Sequence, residues 1–369
     1  MAFDVYLPDV HRLLARALTG DGEAIAAAAS LPPAAVAPHR LLPALDRLAR
    51  RVNVEPPAGW RRQRIAAAAH WLWLAETRRA VGEALDRAGV RWLPIKGCDL
   101  ADRVYEAPED RPTSDLDLLV APASFDAARA ALEDAGWSSL VPGEAAERYC
   151  REEGYAWQAR RRGQPLVELH FRLWGLAPEE LAGALVEDAV AAPELGAGRR
   201  PSLAGAFLLA AVHLWLEPPP RSLLACWDLE RLAGHAAAQG DEDGLSEAVV
   251  DLARRFDLQL PVALAAAHCR ALWPRPAAGA IAGPLLADLR PPERWLATRL
   301  ARRGADALRL GQLVMARLLA GRRSRSGWRV IRRQLWAHPG VVAQETPAGW
   351  SWPRRRLAHV GRQLGWRRL

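Results

Sequence analysis

The chain has 369 residues and a formal net charge of +8, and 50% of its residues are hydrophobic. This length accommodates two or three domains, and the composition permits a sizeable packed core. No apolar run reaches the roughly 18 residues of a membrane-spanning helix. The N-terminus lacks the apolar core of a secretion signal, and the four cysteines lack zinc-ligand spacing. We therefore expect a cytoplasmic protein with reduced thiols and no transmembrane segment.

The positive charge is concentrated near the C-terminal end. Residues 322–369 contain twelve arginines and one acidic residue, Glu345, so the segment carries +11 and the rest of the chain −3. The same segment holds five tryptophans: Trp328, Trp336, Trp350, Trp352 and Trp366. A basic segment with interleaved aromatic residues is typical of binding to nucleic acid or to a membrane surface. The interpretation that we favour is a solvated arm, or a helix that packs back on the body through its tryptophans, because runs of charge are usually solvated.

The chain begins with a helical region, residues 1–88. Apolar residues recur at helical spacing in three segments, Val10–Leu18, Leu41–Val52 and Arg64–Leu85. Proline-containing breaks separate these segments. The last helix ends at Ala88-Gly89, a pattern that indicates a C-cap.

Residues 89–175 alternate between strand and helix patterns. Short apolar runs predict five strands: Val90–Ile95, Asp115–Val120, Trp137–Val141, Tyr155–Arg161 and Pro165–Phe171. Helical periodicity predicts two helices between them, Asp99–Tyr105 and Ser124–Ala135. Residues 176–321 return to helical spacing and precede the basic tail of residues 322–369. The predicted fold class is α+β and mostly helical, with a small mixed β-sheet core flanked by N-terminal and C-terminal helical regions.

Two acidic residues share one face of a predicted strand. Strand alternation points Asp115 and Asp117 the same way, with Cα atoms about 6.6 Å apart. Two carboxylates about 5 Å apart repel by about 3 kcal/mol at an effective dielectric constant near 20. A half-buried pair therefore needs a cation, and carboxylate oxygens suit Mg²⁺ or Mn²⁺. Two acids at this spacing are also common on solvated strand edges.

A third carboxylate lies on a later predicted strand. The alternation of Pro165–Phe171 puts Glu168 and His170 on one face, and antiparallel or mixed pairing would bring that face beside Asp115 and Asp117. Three acids on two strands could hold two divalent ions for a phosphoryl displacement. His170 could orient a metal-bound water or act as a base. A simple hydrogen bond to a neighbouring carboxylate is the interpretation that we favour for His170.

The dipeptide Lys96-Gly97 follows an apolar strand and precedes a helix. A glycine there lets backbone N–H groups approach an anion, and lysine adds a point charge for phosphate. Lys96 is the single lysine among 50 Lys and Arg residues, which favours a role for its ammonium over chance. Arg111 could hold a phosphate bidentately, or pair with Glu109 or Asp110 on the surface.

These segments, LPIKGCDLADRVY, RPTSDLDLLV and VELHFRLW, resemble the nucleotidyltransferase superfamily, whose fold is that of DNA polymerase beta. The likeness is greatest to a little-characterised bacterial branch with a K-G turn and an R-P-x-x-D-x-D strand. The later stretch LAAVHLWLEPPPRSLLACWDLERL also resembles that branch, so the likeness covers roughly residues 60–260. The resemblance implies a mixed sheet flanked by helices and the transfer of NMP from an NTP, such as ATP, with release of pyrophosphate.

The resemblance also assigns roles to particular residues. It implies three catalytic metal ligands, Asp115, Asp117 and Glu168, with Glu168 as a possible general base. Nucleotide and phosphate contacts would come from Lys96, Gly97, Cys98, Arg111 and Ser114. His213 and Asp228 match the helical part of the branch, as substrate contacts or as hydrogen-bonded core residues. Cys98 stands where the broader superfamily has a serine that contacts phosphate.

We therefore expect a Mg²⁺- or Mn²⁺-dependent nucleotidyltransferase that modifies a small molecule, a peptide or a protein. The basic tail supports an alternative in which the acceptor is RNA, such as a tRNA end, as in toxin-like members of the superfamily. Cys98 in place of serine supports another, a nucleotide-binding or partner-binding module without turnover.

Overall fold

The computed structural model describes residues 8–140, 142–144, 147, 150–151, 154–173, 180–195, 198–216, 223–273, 276–303, 351 and 353–355. The predicted basic tail, residues 322–369, lies outside the described residues apart from 351 and 353–355. Its two interpretations therefore stay predictions.

Five α-helices in the described part of the chain precede the first strand. Their bounds are Asp9–Leu18, Gly22–Ala29, Pro33–Val36, Leu42–Arg51 and Ala58–Arg87. The last is 30 residues long and ends where the sequence predicts. Gly89 has a φ of +67° and its amide donates to the Asp86 carbonyl, so this glycine supplies the left-handed turn beyond the helix.

A five-stranded mixed sheet follows. Its strands are β1 (Trp92–Pro94), β2 (Leu116–Val120), β3 (Ser138–Ser139), β4 (Ala156–Arg160) and β5 (Val167–His170), in the spatial order β1-β2-β5-β4-β3. β2 and β5 are parallel, and the other pairs are antiparallel. The helices Gly97–Arg103 and Phe125–Asp134 interrupt the strands. The predicted fold class, with its small mixed sheet between helical regions, is confirmed.

Strand alternation gives the two central strands one apolar face and one polar face. Leu116, Leu118 and Val120 of β2 belong to a buried cluster that includes residues of the helices Ala58–Arg87 and Phe125–Asp134. Val167 and Leu169 of β5 join the same cluster. The intervening residues of both strands, among them the predicted site residues, therefore point to the opposite face.

Helices dominate again after the sheet. They are Glu180–Glu187, Leu203–Leu216, Leu223–Ala238, Glu242–Arg255, Gln259–Leu272, Ala282–Asp288 and Pro291–Arg303. Residues 176–321 are not wholly helical, because Val190–Ala191 and Arg199–Arg200 form a two-stranded antiparallel ribbon. Strands of two residues are too short to give a periodic signal, so sequence patterning missed them. Among the described residues, none of the helices combines the length and the apolar character needed to cross a bilayer.

The helices before and after the sheet share one hydrophobic core. Leu14 and Leu45 from the N-terminal helices belong to the same buried cluster as Phe207 and Leu264 from the later ones. The predicted boundaries at residues 88, 175 and 321 remain sequence-based predictions.

Ion pairs tie the helix Leu42–Arg51 to the loop in front of β2. Arg47 contacts Asp110 at 2.7 Å and Glu109 at 3.2 Å. Asp46 is fully buried and accepts from Arg64 at 2.7 Å. The surface pairing of Arg111 with Glu109 or Asp110, one of the two alternatives for this arginine, does not form, because Arg47 binds both acids and Arg111 binds Asp228 instead.

Two buried histidines in the N-terminal region, His11 and His39, should make the folded protein less stable in acid. The rings of His11 and His39 meet edge to face at 4.7 Å. Burial, with the nearby His39 and His268, lowers the pKa of His11 from 6.5 to about 4. Between pH 6.5 and pH 4, His11 binds a proton in the unfolded chain but not in the folded protein. The contribution of neutral His11 to the free energy of unfolding is therefore fully present above pH 6.5 and is lost as the pH falls towards 4.

Lowering the pH from 7 to 5 should therefore reduce the free energy of unfolding through His11 by about 2 kcal/mol. Urea denaturation at both pH values measures the loss. The variant His11→Leu should lose less stability than the wild type over this interval. An equal loss in both proteins would contradict the assignment to His11.

Candidate functional site

The polar face of the two central strands carries a cluster centred on Asp117. Asp117 lies opposite Glu168 in the parallel register of β2 and β5. Its Oδ1 atom is 2.6 Å from the Lys96 Nζ atom and 2.8 Å from the His170 Nε2 atom. The Asp117 side chain is only 4% exposed. Burial opposes its ionisation, but the hydrogen bond from His170 and the charge of Lys96 outweigh that effect and lower the pKa of Asp117 to about 2.

Glu168 and His170 complete a group of ligand-type side chains. One ligand atom from each of Asp117, Glu168 and His170 lies within 4.8 Å of the other two. His170 is fully buried, and its Nε2 atom is 3.4 Å from the Glu168 Oε2 atom. Gln158, opposite Glu168 on β4, hydrogen-bonds the Glu168 carboxylate. The hydrogen bond from His170 is the main cause of the lowered pKa of Glu168.

Asp115 lies one residue before β2, beside this group. Burial raises the pKa of Asp115, and the charges of Asp117 and Glu168 raise it further. Ser114 is exposed and donates to the Asp115 Oδ1 atom at 3.0 Å. The acids predicted from the sequence therefore do lie together, with His170 as an additional member. The carboxylate oxygens suit Mg²⁺ or Mn²⁺ with water completing the shell, whereas the Nε2 atom of His170 is hydrogen-bonded to Asp117.

The predicted K-G turn is strained at Lys96. Its φ of 54° and ψ of −129° are those of the first central residue of a type II′ turn, which is normally glycine. Such a conformation costs a non-glycine residue about 1–3 kcal/mol, and strained residues of this kind cluster at functional sites. The Lys96 carbonyl accepts from the Leu100 amide at 2.9 Å and so begins the helix Gly97–Arg103.

Gly97 is required by close packing. A Cβ atom at this position would lie 2.0 Å from the Thr113 Oγ1 atom and 2.2 Å from the Arg111 Nη1 atom. Cys98, the next residue, is buried, and its thiol donates to the Asp115 carbonyl at 3.2 Å. Burial raises the pKa of Cys98 to about 12. The structure thus places Cys98 beneath the turn as a neutral hydrogen-bond donor.

Arg111 does not face the acidic cluster as a free phosphate ligand. Its guanidinium binds the Asp228 carboxylate bidentately, at 2.9 and 2.7 Å, and donates to Thr113 at 2.9 Å. Tyr105 donates to the same carboxylate at 2.7 Å. Burial lowers the pKa of Arg111, but the charge of Asp228 outweighs this and raises it beyond its ordinary value. A guanidinium held in this way positions the loop that carries Thr113 and Ser114 against the helix Leu223–Ala238.

Asp228, predicted as an auxiliary residue, is thus a buried anchor for Arg111. His213 lies half-buried on the helix Leu203–Leu216. His213 is not part of the group of metal-ligand side chains that the described residues form. Sequence reasoning missed Thr113, Tyr105 and Gln158. Of these three, only Gln158 could have been found from the sequence, because a hairpin centred on Gly163 places Gln158 opposite Glu168.

Removing the Asp228 carboxylate that anchors Arg111 should destabilise the folded protein. Asp228→Ala leaves the Arg111 guanidinium buried without its counter-charge, so we expect the free energy of unfolding to fall by about 3–5 kcal/mol. The control Glu76→Ala breaks an exposed, solvent-screened pair with Arg79 and should cost far less. Urea denaturation measures both, and similar small losses would contradict the buried-anchor role.

A methyl group at the turn should also be destabilising. Gly97→Ala forces the Arg111 and Thr113 side chains away from the turn, with an expected cost of about 1–3 kcal/mol. Gly234→Ala is the control, because no atom lies within 4 Å of its added Cβ and alanine favours the helix by up to about 1 kcal/mol. If thermal unfolding showed equal stability for the two variants, the close approach at Gly97 would be wrong.

Comparison with known proteins identifies the family. A family model described as "Uncharacterised nucleotidyltransferase" matches residues 34–274. The match includes the sheet, the acidic cluster and the flanking helices from Leu42–Arg51 to Gln259–Leu272. No curated protein and no solved structure matches the chain. Because the family model matches more than half of the 369 residues, the chain belongs to this nucleotidyltransferase family and is a transferase of phosphorus-containing groups.

Proposed function

We propose that the chain transfers an NMP group from an NTP to an acceptor, with release of pyrophosphate, at the cluster formed by Asp115, Asp117 and Glu168. Membership of a nucleotidyltransferase family supports transfer of this general kind. The observation that carries the finer proposal is the register of the two central strands, which sets Asp117 opposite Glu168 on a polar face. Nucleotidyltransferases generally use divalent metal ions, and Asp117 and Glu168 belong, with His170, to a group of side chains whose ligand atoms lie close enough together for one.

A divalent ion held by Asp115, Asp117 and Glu168 would neutralise the negative charge of the triphosphate and of the leaving pyrophosphate. The chain's own residues prepare this site before any ligand arrives. The hydrogen bond from His170 favours the ionised form of Asp117 and of Glu168, which is the form that ligates a metal. An ionised Glu168 could also receive the proton of the attacking acceptor group.

The neighbouring turn supplies the positive charge for phosphate. We propose that Lys96 contacts the triphosphate and that the backbone at Gly97 lies beside it, with Ser114 at the exposed rim. The packing that Gly97 makes with Arg111 and Thr113 supports a rigid turn, and rigid placement of groups around a reacting phosphate is the main source of catalysis in such transfers. Arg111 would act through this turn as a positioning residue.

Thermal stabilisation by ATP, GTP, CTP and UTP, with and without Mg²⁺, tests the proposal. A nucleotide at about 100 times its Kd should stabilise the folded protein by about 2.7 kcal/mol. We expect a Mg²⁺-dependent shift for at least one NTP, and its loss in the double variant Asp115→Asn/Asp117→Asn. The control Asp134→Asn/Asp243→Asn removes two exposed carboxylates elsewhere and should keep the shift. An unchanged shift in the first double variant would sink the proposal.

Two further outcomes separate the alternative functions. Tight NTP binding without pyrophosphate release over a panel of acceptors would support a nucleotide-binding module, for which the buried thiol of Cys98 is the motivating observation. RNA as the acceptor predicts steeply salt-dependent RNA binding that weakens on deletion of residues 322–369, because twelve arginines lie there. A gel-shift assay at low salt that shows no bound RNA would remove the RNA alternative.

A further inference from the structure

The ammonium group of Lys96 contacts one carboxylate oxygen of Asp117, a proposed metal ligand. Its Nζ atom is 2.6 Å from the Asp117 Oδ1 atom, one of the ligand-type atoms of the acidic cluster. The Lys96 side chain is 17% exposed, so the contact is largely shielded from solvent. A divalent ion that binds the same oxygen would meet a positive charge already in place, and two cations on one carboxylate oxygen repel strongly in a shielded site.

The charge of Lys96 offsets the repulsion among the carboxylates. Burial opposes the charged form of Lys96, but Asp117, Glu168 and Asp115 outweigh it and raise the pKa of the lysine. The ammonium therefore stays charged across the physiological range. Without it, the donors found on the three carboxylates would be His170, Gln158 and Ser114, and none of these is a lysine or an arginine.

The conformation of the turn indicates that this lysine is retained for its side chain. Lys96 adopts a backbone conformation that glycine adopts without strain. Arginine stands at every other basic position of the chain, yet lysine stands here. A lysine ammonium is a compact point charge on a flexible stem, whereas a guanidinium forms a planar fork that holds a carboxylate bidentately. The lysine can therefore leave a carboxylate more readily than an arginine can.

We propose that Lys96 is a built-in counter-ion, which neutralises Asp117 while no divalent ion is bound and moves from Asp117 to the nucleotide's triphosphate when the ion binds. The inference rests on the proposed function and adds to it an exchange of cations. In this exchange, Lys96 weakens the binding of a metal ion when no nucleotide is present. It strengthens the binding of a metal ion and a nucleotide together. The protein would thus take up its metal ion mainly as the metal–nucleotide complex.

Mn²⁺ titration without nucleotide tests the first half of the exchange, with free Mn²⁺ followed by its electron paramagnetic resonance signal. Lys96→Met removes the charge and keeps a side chain of similar length. We expect it to bind Mn²⁺ at least about tenfold more tightly than the wild type, because one repelling charge is gone from a shielded site. Lys96→Arg keeps the charge and should bind no more tightly than the wild type. Arg79→Met, on the exposed side of the helix Ala58–Arg87, controls for net charge and should leave the affinity unchanged.

Nucleotide binding in the presence of Mn²⁺ tests the second half. Here Lys96→Met should bind the NTP more weakly than the wild type, because the triphosphate loses its ammonium partner. The proposal therefore predicts that Lys96→Met has opposite effects on two affinities. The affinity for Mn²⁺ alone rises, and the affinity for NTP in the presence of Mn²⁺ falls. If Lys96 had only a structural role, its replacement by methionine would weaken the binding of Mn²⁺ and the binding of NTP alike.

Mn²⁺ affinity that is unchanged or weaker in folded Lys96→Met overturns the exchange, even where the wild type binds NTP with metal. If neither protein binds Mn²⁺ with or without nucleotide, the proposed function fails as well, so the two failures are distinguishable. Circular dichroism checks folding, and Lys96→Gln replaces a Lys96→Met protein that does not fold. If neither variant folds, the ion pair between Lys96 and Asp117 is required for folding. That result would also overturn the exchange.

Discussion

The mutual repulsion of carboxylates on two central strands is the constraint on which the site depends. Asp117 and Glu168 face each other across a parallel pair, and Asp115 lies just outside it. Such groups stay both ionised and shielded only where nearby charges or hydrogen bonds compensate their repulsion. His170 and Lys96 supply it, and both reach the same oxygen of Asp117. The chain itself therefore offsets part of the negative charge of the acidic cluster, and a metal ion that binds the Asp117 Oδ1 atom competes with these two donors.

The helical layers are what hold the compensating groups in place. Arg111 and Asp228 lie 117 residues apart in the chain, and their bidentate pair fixes the loop before β2 against the helix Leu223–Ala238. From the other side, Arg47 binds the acids of the same loop. With Gly97 packed directly on Arg111, the K-G turn cannot shift without disturbing this anchor. The helices on both sides of the sheet thus belong to the construction of the site.

Strand alternation predicted which acidic residues share a face, whereas the parallel pairing of the two strands was left open by the sequence. Asp117 and Glu168 occupy polar positions of two short apolar runs, and pairing the runs brings them together. The anchor was not predictable, because nothing local in the sequence links Arg111 to Asp228. Arginine in an R-P-x-x-D-x-D segment suits phosphate and carboxylate equally well, and the tertiary contact decides between them. The strain at Lys96 was hidden too, since positive φ is rare for lysine.

In the proposed function, Asp117 and its neighbours hold a divalent ion in contact with a nucleoside triphosphate. Pulsed electron paramagnetic resonance of the protein with Mn²⁺ and NTP tests this contact directly. We expect coupling of the bound Mn²⁺ to phosphorus of the nucleotide, with loss of the protein-bound signal in Asp117→Asn. Coupling that persists unchanged in Asp117→Asn, or protein-bound Mn²⁺ without phosphorus coupling at saturating NTP, would contradict it.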